Sequence, residues 1–500
     1  MSAALSLDDV KSRASKLSYK SQAFIDGKYV DAASGKTFDC ISPVDGKVIA
    51  KVAAGDRVDV DRAVKAARRA FESGVWRNQH PRDRKAKLLK FAEIIKDHAT
   101  ELALLETLDM GKPISDSTNI DIPLVVRTIR WYAEAIDKVY DEIAPTDQKA
   151  VSLITREPVG VVAAVVPWNF PLLMAAWKIG PALATGNSLI LKPAEQSSLT
   201  AIRIAEFAAA AGIPDGVFQV VPGLGEEAGQ ALGRHMDVDC VGFTGSGEVG
   251  KLFLKYSGES NMKRVGLECG GKTPHIVLAD AADLDAAATA AAWGIFFNQG
   301  EVCNAGSRLL VQDSIKDAFL EKVMAVGKKM RVGDPLDPKT QMGAIVDDTQ
   351  MNKVLSYIDI GQKEGAEVKM GGKRVRTDSG GYYVEPTVLD RVKNSMRVAQ
   401  EEIFGPVLST ITVKDEDEAV KIGNDTMYGL AAAVWTRDIN KAFKVSKALR
   451  AGTVWVNCFD HGDITTPFGG FKQSGFGGRD KSLHAHDQYT ELKHTWVQLY

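Results

Sequence analysis

The chain has 500 residues, a length that corresponds to about two or three domains. Its 62 Lys and Arg and 64 Asp and Glu leave a formal net charge of -2, which argues against a nucleic-acid-binding protein because such proteins usually carry a basic excess. The five cysteines form no C-x-x-C pair and the eight histidines no dense cluster, so neither a structural zinc site nor a disulfide framework is expected. This cysteine usage favours a reducing compartment, and we expect no bound metal.

No part of the sequence predicts a membrane span. The most apolar windows, Val159–Trp168 and Ala286–Phe297, are far shorter than the roughly 18 residues that a spanning helix needs. The N-terminal segment lacks the long apolar core of a secretory signal, and Asp8 and Asp9 count against a transit peptide. We therefore expect a cytoplasmic protein with no membrane partner.

Hydrophobic periodicity divides the first half of the chain into short strands and helices. Turns at Asp26–Gly27 and Asp45–Gly46 separate short N-terminal strands, and two helical stretches follow at Val58–Ser73 and Arg84–Met110. The next predicted elements are the strands Val161–Val166, Ser188–Leu191, Val217–Val221, Cys240–Phe243, Arg264–Glu268 and His275–Leu278 and the helix Leu199–Ala211. Short apolar strands that alternate with helices are typical of a parallel sheet covered on both faces.

The same alternation restarts near residue 280. An Ala-rich helix at Leu284–Phe297 is followed by a strand at Arg308–Val311 and a helix at Ser314–Lys328. Later predicted strands are Pro406–Ile411, Ala431–Trp435 and Thr453–Asn457. The pattern predicts a second α/β domain, and the alternating segment Thr490–Tyr500 predicts an edge strand at the end of the chain.

A glycine-rich turn is the first of three motifs that point to chemistry. The segment Gly245–Gly250 matches G-x-G-x-x-G between a predicted strand and a predicted helix. In that context backbone N–H groups and the helix N-terminus hold a pyrophosphate, although a lone match also fits a plain glycine turn. In a generic dinucleotide fold Glu268, at the end of the next strand, would contact the adenosine ribose.

The other two motifs are ambiguous on their own. The segment Gly266–Thr273 matches the phosphate loop of nucleoside triphosphatases, but that loop opens a helix, whereas Pro274 and the apolar residues after it predict a strand. Cys303 follows a glycine-bearing turn. An isolated cysteine is either a reactive thiol or a small buried apolar side chain, and nothing local decides between them.

Seven segments, three of which contain these motifs, occur together and in order: VVPWNFP (Val165–Pro171), LKPAE (Leu191–Glu195), FTGSGEVG (Phe243–Gly250), LECGGK (Leu267–Lys272), NQGEVCNAGSR (Asn298–Arg308), EEIFGPV (Glu401–Val407) and PFGGFKQSG (Pro467–Gly475). Through them the chain resembles the NAD(P)-dependent aldehyde dehydrogenase superfamily over essentially its whole length. The segments LETLDMGKP (Leu105–Pro113) and YTELK (Tyr489–Lys493) resemble the branch that oxidises aminoaldehydes, above all the γ-glutamyl-γ-aminobutyraldehyde dehydrogenases of bacterial polyamine catabolism.

This resemblance implies an α/β fold with two doubly wound parallel-sheet domains and a small β element for oligomerisation. The implied boundaries are residues 1–140 and 160–270 for a dinucleotide-binding domain, 271–475 for a catalytic domain, and 141–159 with 476–500 for the oligomerisation element. We expect Ala150–Glu157 to join the C-terminal strand in one small sheet. The family precedent favours a homotetramer assembled as a dimer of dimers.

For catalysis the resemblance implies four residues. Cys303 attacks the aldehyde carbon as a thiolate, and the side-chain amide of Asn169 and the backbone N–H of Cys303 donate to the oxyanion. Glu268 is the general base that activates water to release the acid, and its generic ribose role gives way. Lys178 is assigned either to the cofactor and the proton path or to an ordinary ion pair.

The resemblance also implies NAD as the cofactor. Lys192 and Glu195 would hold its adenosine ribose, and Glu402 its nicotinamide ribose. The full set of expected cofactor contacts is Val166, Pro167, Trp168, Lys192, Glu195, Gly225, Phe243, Gly245, Ser246, Val249, Glu402 and Phe404. Because the Glu195 carboxylate would repel a 2′-phosphate, we expect NAD to be preferred over NADP.

The substrate is predicted to be a small-molecule aldehyde. The expected walls of its tunnel are Phe170, Trp177, Phe459 and Phe468. The acidic residues expected to meet a positively charged or polar far end are Asp109, Asp116, Asp121, Asp460 and Asp463. An aminoaldehyde such as γ-glutamylaminobutanal fits this description, and a broad-specificity aliphatic and aromatic aldehyde dehydrogenase or a betaine-aldehyde-type enzyme is the alternative.

Glu301 departs from the family pattern, which commonly has Gln two residues before the nucleophile. A carboxylate that pointed inward would raise the pKa of the Cys303 thiol, but we expect this side chain to point outward. Because nucleophile and base are both present, a catalytically idle structural descendant is not expected. The presence of Glu268 favours water over phosphate or CoA as the acyl acceptor.

Overall fold

The computed structural model describes residues 6–500. Its strands are β1 Ala23–Ile25, β2 Lys28–Val30, β3 Thr37–Ile41, β4 Val48–Ala53, β5 Glu142–Ala144, β6 Ala150–Pro158, β7 Val161–Val165, β8 Ser188–Lys192, β9 Phe218–Val220, β10 Cys240–Gly245, β11 Arg264–Cys269, β12 Pro274–Val277, β13 Arg308–Gln312, β14 Glu367–Met370, β15 Arg374–Val375, β16 Tyr383–Val384, β17 Thr387–Asp390, β18 Val407–Val413, β19 Ala431–Trp435, β20 Thr453–Val456, β21 Gly475–Phe476 and β22 Thr490–Gln498.

Its α-helices are α1 Leu7–Ala14, α2 Arg57–Glu72, α3 Pro81–Asp97, α4 Ala99–Met110, α5 Ile114–Asp116, α6 Ile122–Ala135, α7 Pro171–Ala184, α8 Leu199–Ala210, α9 Gln230–Arg234, α10 Gly247–Gly258, α11 Leu284–Phe296, α12 Lys316–Gly327, α13 Asp348–Lys363, α14 Arg397–Gln400, α15 Glu416–Asn424, α16 Ile439–Ala448 and α17 His486–Tyr489. Across residues 6–500, none of these helices combines the length and the apolar character that crossing a membrane requires.

The larger sheet has eight strands in the order β2-β1-β9-β8-β7-β10-β11-β21. The five strands from β9 to β11 are parallel, whereas β1, β2 and β21 join the edges in antiparallel orientation. Strand β7 reads VVAAV and is buried throughout: Val162 and Ala164 enter the core beneath α3, α6, α7 and α8, and its other residues enter the core beneath α2 and α10. The predicted parallel sheet covered on both faces is confirmed.

The second sheet has seven strands in the order β14-β17-β18-β13-β12-β19-β20. All are parallel except the edge strand β14. Its two faces bury separate apolar cores, one containing Ile276 and Leu310 and the other Val277 and Leu309. The predicted second α/β unit is therefore present, with the alternating burial that a sheet covered on both faces requires.

A small antiparallel sheet contains β22, β6 and β5 in that order. Strand β22 pairs with β6 along its full length, which confirms the predicted pairing of Ala150–Glu157 with the C-terminal segment. Strand β22 is an edge strand, and Leu492 and Trp496 on it are 67% and 56% exposed. After the last strand of the second sheet, the chain returns to the larger sheet, where β21 pairs with β11, before it forms β22. The domain boundaries themselves stay a prediction.

The helices differ from the predicted ones in two respects. The predicted helix Arg84–Met110 is two helices, α3 and α4, because His98 leaves helical geometry between them. Helices α6 and α7 were not predicted, and α7 begins at Pro171, directly after the PWNF turn, where proline fits the first helical position. Helix α7 is buried between the larger sheet and α6.

The two glycine motifs fold differently. Strand β10 ends at Gly245 and α10 begins at Gly247, so the first motif has the strand–turn–helix form of a phosphate-binding turn. The segment Gly266–Thr273 runs from β11 to the start of β12 without a helix. The phosphate-loop alternative is therefore wrong, since that loop must open a helix.

Candidate active site

Cys303 lies after a strained turn that ends α11. Asn298, Gln299 and Gly300 all have positive φ angles, of 47°, 58° and 73°. Consecutive left-handed residues persist only where the surroundings hold them. Asn298 Nδ2 donates to the carbonyl oxygens of Asn169 and Glu301, at 3.1 and 3.2 Å, and the side-chain oxygen Oε1 of Gln299 accepts from the backbone N–H of Gly343 at 2.9 Å. The nucleophile loop is thereby fixed from both sides.

The Cys303 thiol is held in its protonated form by its surroundings. Burial is the main cause of its raised pKa, and the carboxylates of Glu402, Asp460 and Glu268 act in the same direction. The backbone N–H of Asn304 opposes them. Formation of the thiolate therefore needs a base at the moment of attack.

Asn169 is buried against the nucleophile loop. Its Nδ2 donates to the carbonyl oxygen of Glu301 at 2.8 Å, and the side chain is 3% exposed. A primary amide carries two N–H bonds, so one remains available to an oxygen near Cys303. The structure thus ties Asn169 to the loop that carries Cys303, and its role as an oxyanion donor stays a prediction.

Glu268 stands near the end of β11 and is 5% exposed. Burial raises the pKa of its carboxyl well above the usual range, and the nearby Asp480 carboxylate raises it further, whereas Lys178 and Arg479 lower it. Its Oε2 has no hydrogen-bond partner within residues 6–500. A buried carboxyl with a raised pKa and a free oxygen has the properties of a general base.

Lys178 is one half of a buried ion pair. Its Nζ lies 2.6 Å from Asp480 Oδ2, and both side chains are at most 1% exposed. The structure shows the ion-pair alternative, and this pair also acts electrostatically on Glu268, whereas a role of Lys178 near the cofactor and the proton path stays a prediction. Asp480 was missed because its partner is about 300 residues earlier in the chain and no local pattern marks such a pair.

The predicted ribose-binding residues form a second ion pair at the end of β8. Lys192 Nζ lies 3.2 Å from Glu195 Oε1 and 2.9 Å from the carbonyl oxygen of Pro193. Gly225 lies beside this pair, because a Cβ there would stand 3.6 Å from Glu195 Oε1. The three residues form one polar corner of the predicted cofactor-binding groove.

The turn between β10 and α10 forms the next part of this groove. Ser246 caps α10, and its hydroxyl accepts from the N–H of Val249 at 3.3 Å. Val249 is 40% exposed, so the first turn of the helix is open to solvent. Phe243 is different: it is 3% exposed and packs beneath Gly245 against Phe253, so its ring supports the turn from inside.

The predicted nicotinamide end lies next to the nucleophile. Trp168 and Phe404 meet edge to face, with ring centroids 5.2 Å apart. Val166 and Pro167 precede Trp168 and continue from β7, with the N–H of Val166 donating to the carbonyl of Lys192 at 3.2 Å. Burial raises the pKa of Glu402 to about 7, and its Oε1 accepts from Gly271 N at 3.1 Å.

A cavity of about 600 Å³ opens at Cys303. Of the predicted substrate residues, Phe170, Trp177, Asp463 and Phe468 line it, and Trp177 and Phe468 meet with ring centroids 5.3 Å apart. Phe459 lines a neighbouring cavity of about 740 Å³, which shares several residues with the first. The structure therefore brings most of the predicted aromatic wall together.

Asp109 does not reach this cavity. It is 1% exposed in α4 and accepts from Cys40 Sγ at 2.8 Å and from Leu199 N at 2.9 Å. Burial raises the pKa of its carboxyl to about 7. The predicted substrate role of Asp109 is corrected, because its two oxygens connect α4 to β3 and to the start of α8.

The other acidic candidates are divided between ion pairs and the cavity. Asp121 lines the cavity but is paired with the buried Lys112, and Asp463 is paired with Arg127. Asp116 does not line it, whereas Asp460 lines both cavities. Arg127 and Lys481 also line the cavity at Cys303 and were missed, since a lone basic residue in a sequence usually indicates a solvated surface.

Glu301 is buried, which corrects the expected outward orientation. The side chain is fully enclosed, and its Oε1 accepts from the N–H of Val346 at 3.0 Å. Burial raises its pKa well above the usual range. The carboxyl connects the nucleophile loop to the segment before α13 instead of facing the thiol.

Comparison with known proteins agrees with this geometry. The model of the aldehyde dehydrogenase family matches residues 29–495. The chain belongs to the aldehyde dehydrogenase family. It is 52% identical to an aminoacetaldehyde dehydrogenase of Pseudomonas aeruginosa over 497 residues, which is 99% of each chain.

Two solved aldehyde dehydrogenases have nearly the same fold. A P. syringae AldA indole-3-acetaldehyde dehydrogenase variant, in complex with NAD+ and IAA, is 60% identical with a TM-score of 0.98 and covers 99% of this chain and 100% of its own. A γ-glutamyl-γ-aminobutyraldehyde dehydrogenase from Burkholderia cenocepacia J2315 is 58% identical with a TM-score of 0.97 and the same coverage. The predicted family and fold class are confirmed.

Proposed function

We propose that this protein oxidises aldehydes to carboxylic acids with NAD+ as the electron acceptor, and that aminoaldehydes are its preferred substrates. The observation that carries the proposal is the position of Cys303: its thiol opens into a cavity of about 600 Å³ beside the Asn169 amide, with the buried carboxyl of Glu268 close enough to raise its pKa. These contacts support a single site that contains the nucleophile, the proposed oxyanion donor and the proposed base.

The acyl-forming half of the reaction uses Cys303 and Asn169. As the sulfur forms its bond to the aldehyde carbon, the thiol proton passes to Glu268 by way of water, and the carbonyl oxygen becomes an oxyanion that accepts from the Asn169 amide. Bound NAD+ supplies the acceptor for the hydride that leaves the same carbon. The product of this half is a thioester on Cys303.

The hydrolytic half uses Glu268. Glu268 first releases the proton of the first half to solvent. Its carboxylate then takes a proton from water, the oxygen of that water attacks the thioester carbon, and the carbon–sulfur bond breaks to release the acid and the Cys303 thiolate, which takes this second proton back from Glu268. The raised pKa of Glu268 suits this role because it makes the carboxylate a stronger base towards water.

The groove residues fit a dinucleotide that carries a free ribose 2′-hydroxyl. Glu195 offers a carboxylate oxygen that accepts a hydroxyl hydrogen bond, and Lys192 beside it completes the polar corner. A 2′-phosphate would stand against the same carboxylate and be repelled. NAD+ is therefore the expected acceptor, and a comparison of initial rates with NAD+ and NADP+ checks it.

The charged lining of the cavity supports aminoaldehydes as substrates. Asp460 lines it and forms no ion pair within residues 6–500, whereas Asp463 is paired with Arg127. The aromatic surface alone would also accept aryl aldehydes, so a broad-specificity enzyme is the second candidate. The measurement is kcat/KM over a panel of aldehydes, in which a clear preference for hexanal over aminoaldehydes would contradict the proposal.

The decisive experiment for the chemistry is NADH formation by wild type and Cys303→Ala. Loss of the sulfur removes the thioester route, so we expect the rate to fall by at least about a thousandfold. NAD+ binding, followed by quenching of tryptophan fluorescence, serves as the control for folding. Undiminished turnover in Cys303→Ala would contradict the proposed function.

The protein is further proposed to act in the cytoplasm as a homo-oligomer arranged as a dimer of dimers. The exposed edge strand β22, with its apolar Leu492 and Trp496, supports assembly because large exposed apolar side chains on a free edge favour pairing with another copy.

A further inference from the structure

Glu301 is a buried carboxyl group in the nucleophile loop, residues 298–303. Its side chain is fully enclosed, and its Oε1 accepts a hydrogen bond from Val346 N at 3.0 Å. Gln299 makes a similar contact, since its Oε1 accepts from Gly343 N at 2.9 Å. Two side chains of the nucleophile loop are thus bonded to the backbone of the short segment that leads into α13.

The segment that receives these contacts, residues 343–347, is itself held by its neighbours. Ala344 N donates to the carbonyl of Gly111 at 3.0 Å, and Ile345 N donates to the carbonyl of Tyr382 at 2.7 Å. These bonds join the segment to the residue that follows α4 and to the residue that precedes β16. The nucleophile loop is therefore attached to a part of the fold that is fixed on its other side.

The main chain of Glu301 holds a second part of the site. Its carbonyl oxygen accepts from Asn169 Nδ2 at 2.8 Å and from Asn298 Nδ2 at 3.2 Å. The proposed oxyanion donor is thus bonded to the backbone of the same residue whose side chain contacts the segment before α13. A displacement of Glu301 would disturb both Asn169 and Cys303, which lies two residues further along the loop.

The position of the Glu301 carboxyl favours its neutral form. Its Oε2 is buried and has no hydrogen-bond partner within residues 6–500. Burial is the main cause that raises the pKa of this carboxyl well above the usual range. Ionisation would place a negative charge on an oxygen that neither a protein donor nor water stabilises, which is unfavourable. The carboxyl therefore keeps its proton into a pH range in which a surface glutamate is ionised.

The charged groups that face this carboxyl do not balance a negative charge on it. Asp347, at the N-terminus of α13, raises the pKa of Glu301 further. Lys112, which follows α4, lowers this pKa but is itself paired with Asp121. The hydrogen bond from Val346 N also lowers it, although a backbone amide carries no net charge. An ionised Glu301 would thus be a buried charge without a counter-ion of its own.

We propose that Glu301 is a positioning residue for Cys303 whose proton controls the nucleophile loop. The neutral acid holds the loop against residues 343–347. At alkaline pH the proton passes to solvent, the carboxylate leaves its buried position to reach water, and Cys303 and Asn169 lose their alignment. This inference rests on the proposed aldehyde oxidation and adds a reversible, pH-dependent control to its first half.

The loop itself provides a readout that does not depend on turnover. Amide hydrogen exchange is measured by mass spectrometry on the peptides that cover residues 298–303 and 343–347, from pH 6 to pH 10, and is corrected for the intrinsic exchange rate at each pH. Stopped-flow spectroscopy follows the first-turnover burst of NADH over the same range. Samples returned from pH 10 to pH 7 show whether the change is reversible.

Three variants separate the proton of Glu301 from its side chain. Glu301→Gln keeps an oxygen for Val346 N and has no proton to lose, whereas Glu301→Ala removes the contact altogether. Glu106→Gln is the matched control. Glu106 is a second fully buried glutamate, burial raises its pKa to about 8, and its carboxyl forms no hydrogen bond with the nucleophile loop.

In wild type, corrected exchange of the loop amides should accelerate by about 10-fold or more at alkaline pH, and the burst rate should fall over the same range. Neither change should occur in Glu301→Gln. Glu301→Ala should exchange rapidly at every pH, and its burst rate should be lower by about 10- to 100-fold throughout, because its nucleophile is no longer held in place. Glu106→Gln should follow wild type in both measurements.

Loop protection in wild type that stays constant up to pH 10 would overturn the inference, as would the same alkaline release in wild type and Glu301→Gln. Loss of the release in Glu106→Gln would also overturn it, because the titration would then not belong to Glu301. A wild-type protein that formed no NADH at any pH would contradict the proposed function, whereas the hydrogen exchange would still decide whether Glu301 controls the loop.

Discussion

Glu268 has its pKa set by a small buried group of charges. Burial and Asp480 raise the pKa, and Lys178 and Arg479 lower it. Because only the unprotonated carboxylate removes a proton from water, the rate of acid release should increase with pH through this pKa. Asp480 and Lys178 are thus positioning residues that act on the base without touching the substrate.

Removing the charge of Asp480 and removing the charge of Lys178 should move the acid limb of the pH profile of kcat in opposite directions. Asp480→Asn removes a negative charge, so the pKa of Glu268 should fall and the limb should move to lower pH by about one unit. Lys178→Met removes a positive charge and should move the limb to higher pH. Each variant leaves a buried charge without its partner and should lose about 3–5 kcal/mol of stability, so the melting temperature is measured in parallel. Identical limbs in all three enzymes would show that the pair does not act on Glu268.

Glu301 offers a test of stability at the residue scale. Its folded-state pKa is raised by burial, so its contribution to stability is complete below the pKa of the unfolded chain and is lost as the pH rises towards the folded-state value. A glutamine accepts the same N–H from Val346 and has no proton to lose. Glu301→Gln should therefore raise the melting temperature more at pH 8 than at pH 5, by roughly 2–4 °C for each kcal/mol gained. An equal effect at both values would mean that Glu301 does not titrate with folding.

At the scale of elements, the loop between β20 and β22 supports the base from above. Gly469 has a φ angle of 156°, and a Cβ at this position would lie 2.5 Å from Glu268 Oε1. Only glycine leaves room for the carboxylate where it stands. The active site therefore requires glycine at position 469 for steric reasons, in addition to the turn that the PFGGF segment forms.

Gly469→Ala should displace the Glu268 carboxylate and lower kcat by about a hundredfold, since misplacement of a catalytic group by 1 Å has that effect. The matched control is Gly258→Ala at the end of α10, where a Cβ would meet no atom within 4 Å. Stopped-flow measurement of a first-turnover burst of NADH separates the two halves of the reaction. Both the burst and the later acid release should slow, because Glu268 takes the thiol proton in the first half and activates water in the second, and unchanged rates in both halves would contradict the steric argument.

The elements that the sequence predicts well are those with a local signal. Apolar runs such as Val161–Val165 and capped helices such as Arg57–Glu72 carry their own periodicity, and the glycine turn at Gly245–Gly250 lies between two of them. Helix α7 was missed because it is buried all round and shows no amphipathic stripe. Motif resemblance supplied the candidate nucleophile and base, but no pattern in the sequence predicts contacts between distant residues, such as Lys178 with Asp480 or Asp109 with Cys40.

For the whole molecule, β22 is the surface most suited to assembly. It ends a three-stranded sheet with one unpaired edge and exposes Leu492, Trp496 and Val497. Covering such an edge with a second copy removes apolar area from water and satisfies its free backbone groups.

Leu492→Glu combined with Trp496→Glu should weaken this assembly. Two buried charges at a symmetric interface meet their own copies, so the species seen by light scattering after size exclusion should shift to a smaller mass. Phe443→Glu, at an exposed position of α16, is the control and should not change the mass. A double variant with unchanged mass would show that β22 does not hold the oligomer together.

The two backbone hydrogen bonds between Phe468 and Asp480 have a practical consequence for engineering. Asp480, whose charge acts on Glu268, immediately precedes Lys481, which lines the cavity, and the hydrogen bond from Ser482 N to the carbonyl of Ile464 fixes the backbone on the other side. The backbone on both sides of position 481 is therefore fixed, while the side chain at this position lines the cavity. Different side chains can be inserted there to accept different substrates, while the chemistry one residue away keeps its geometry.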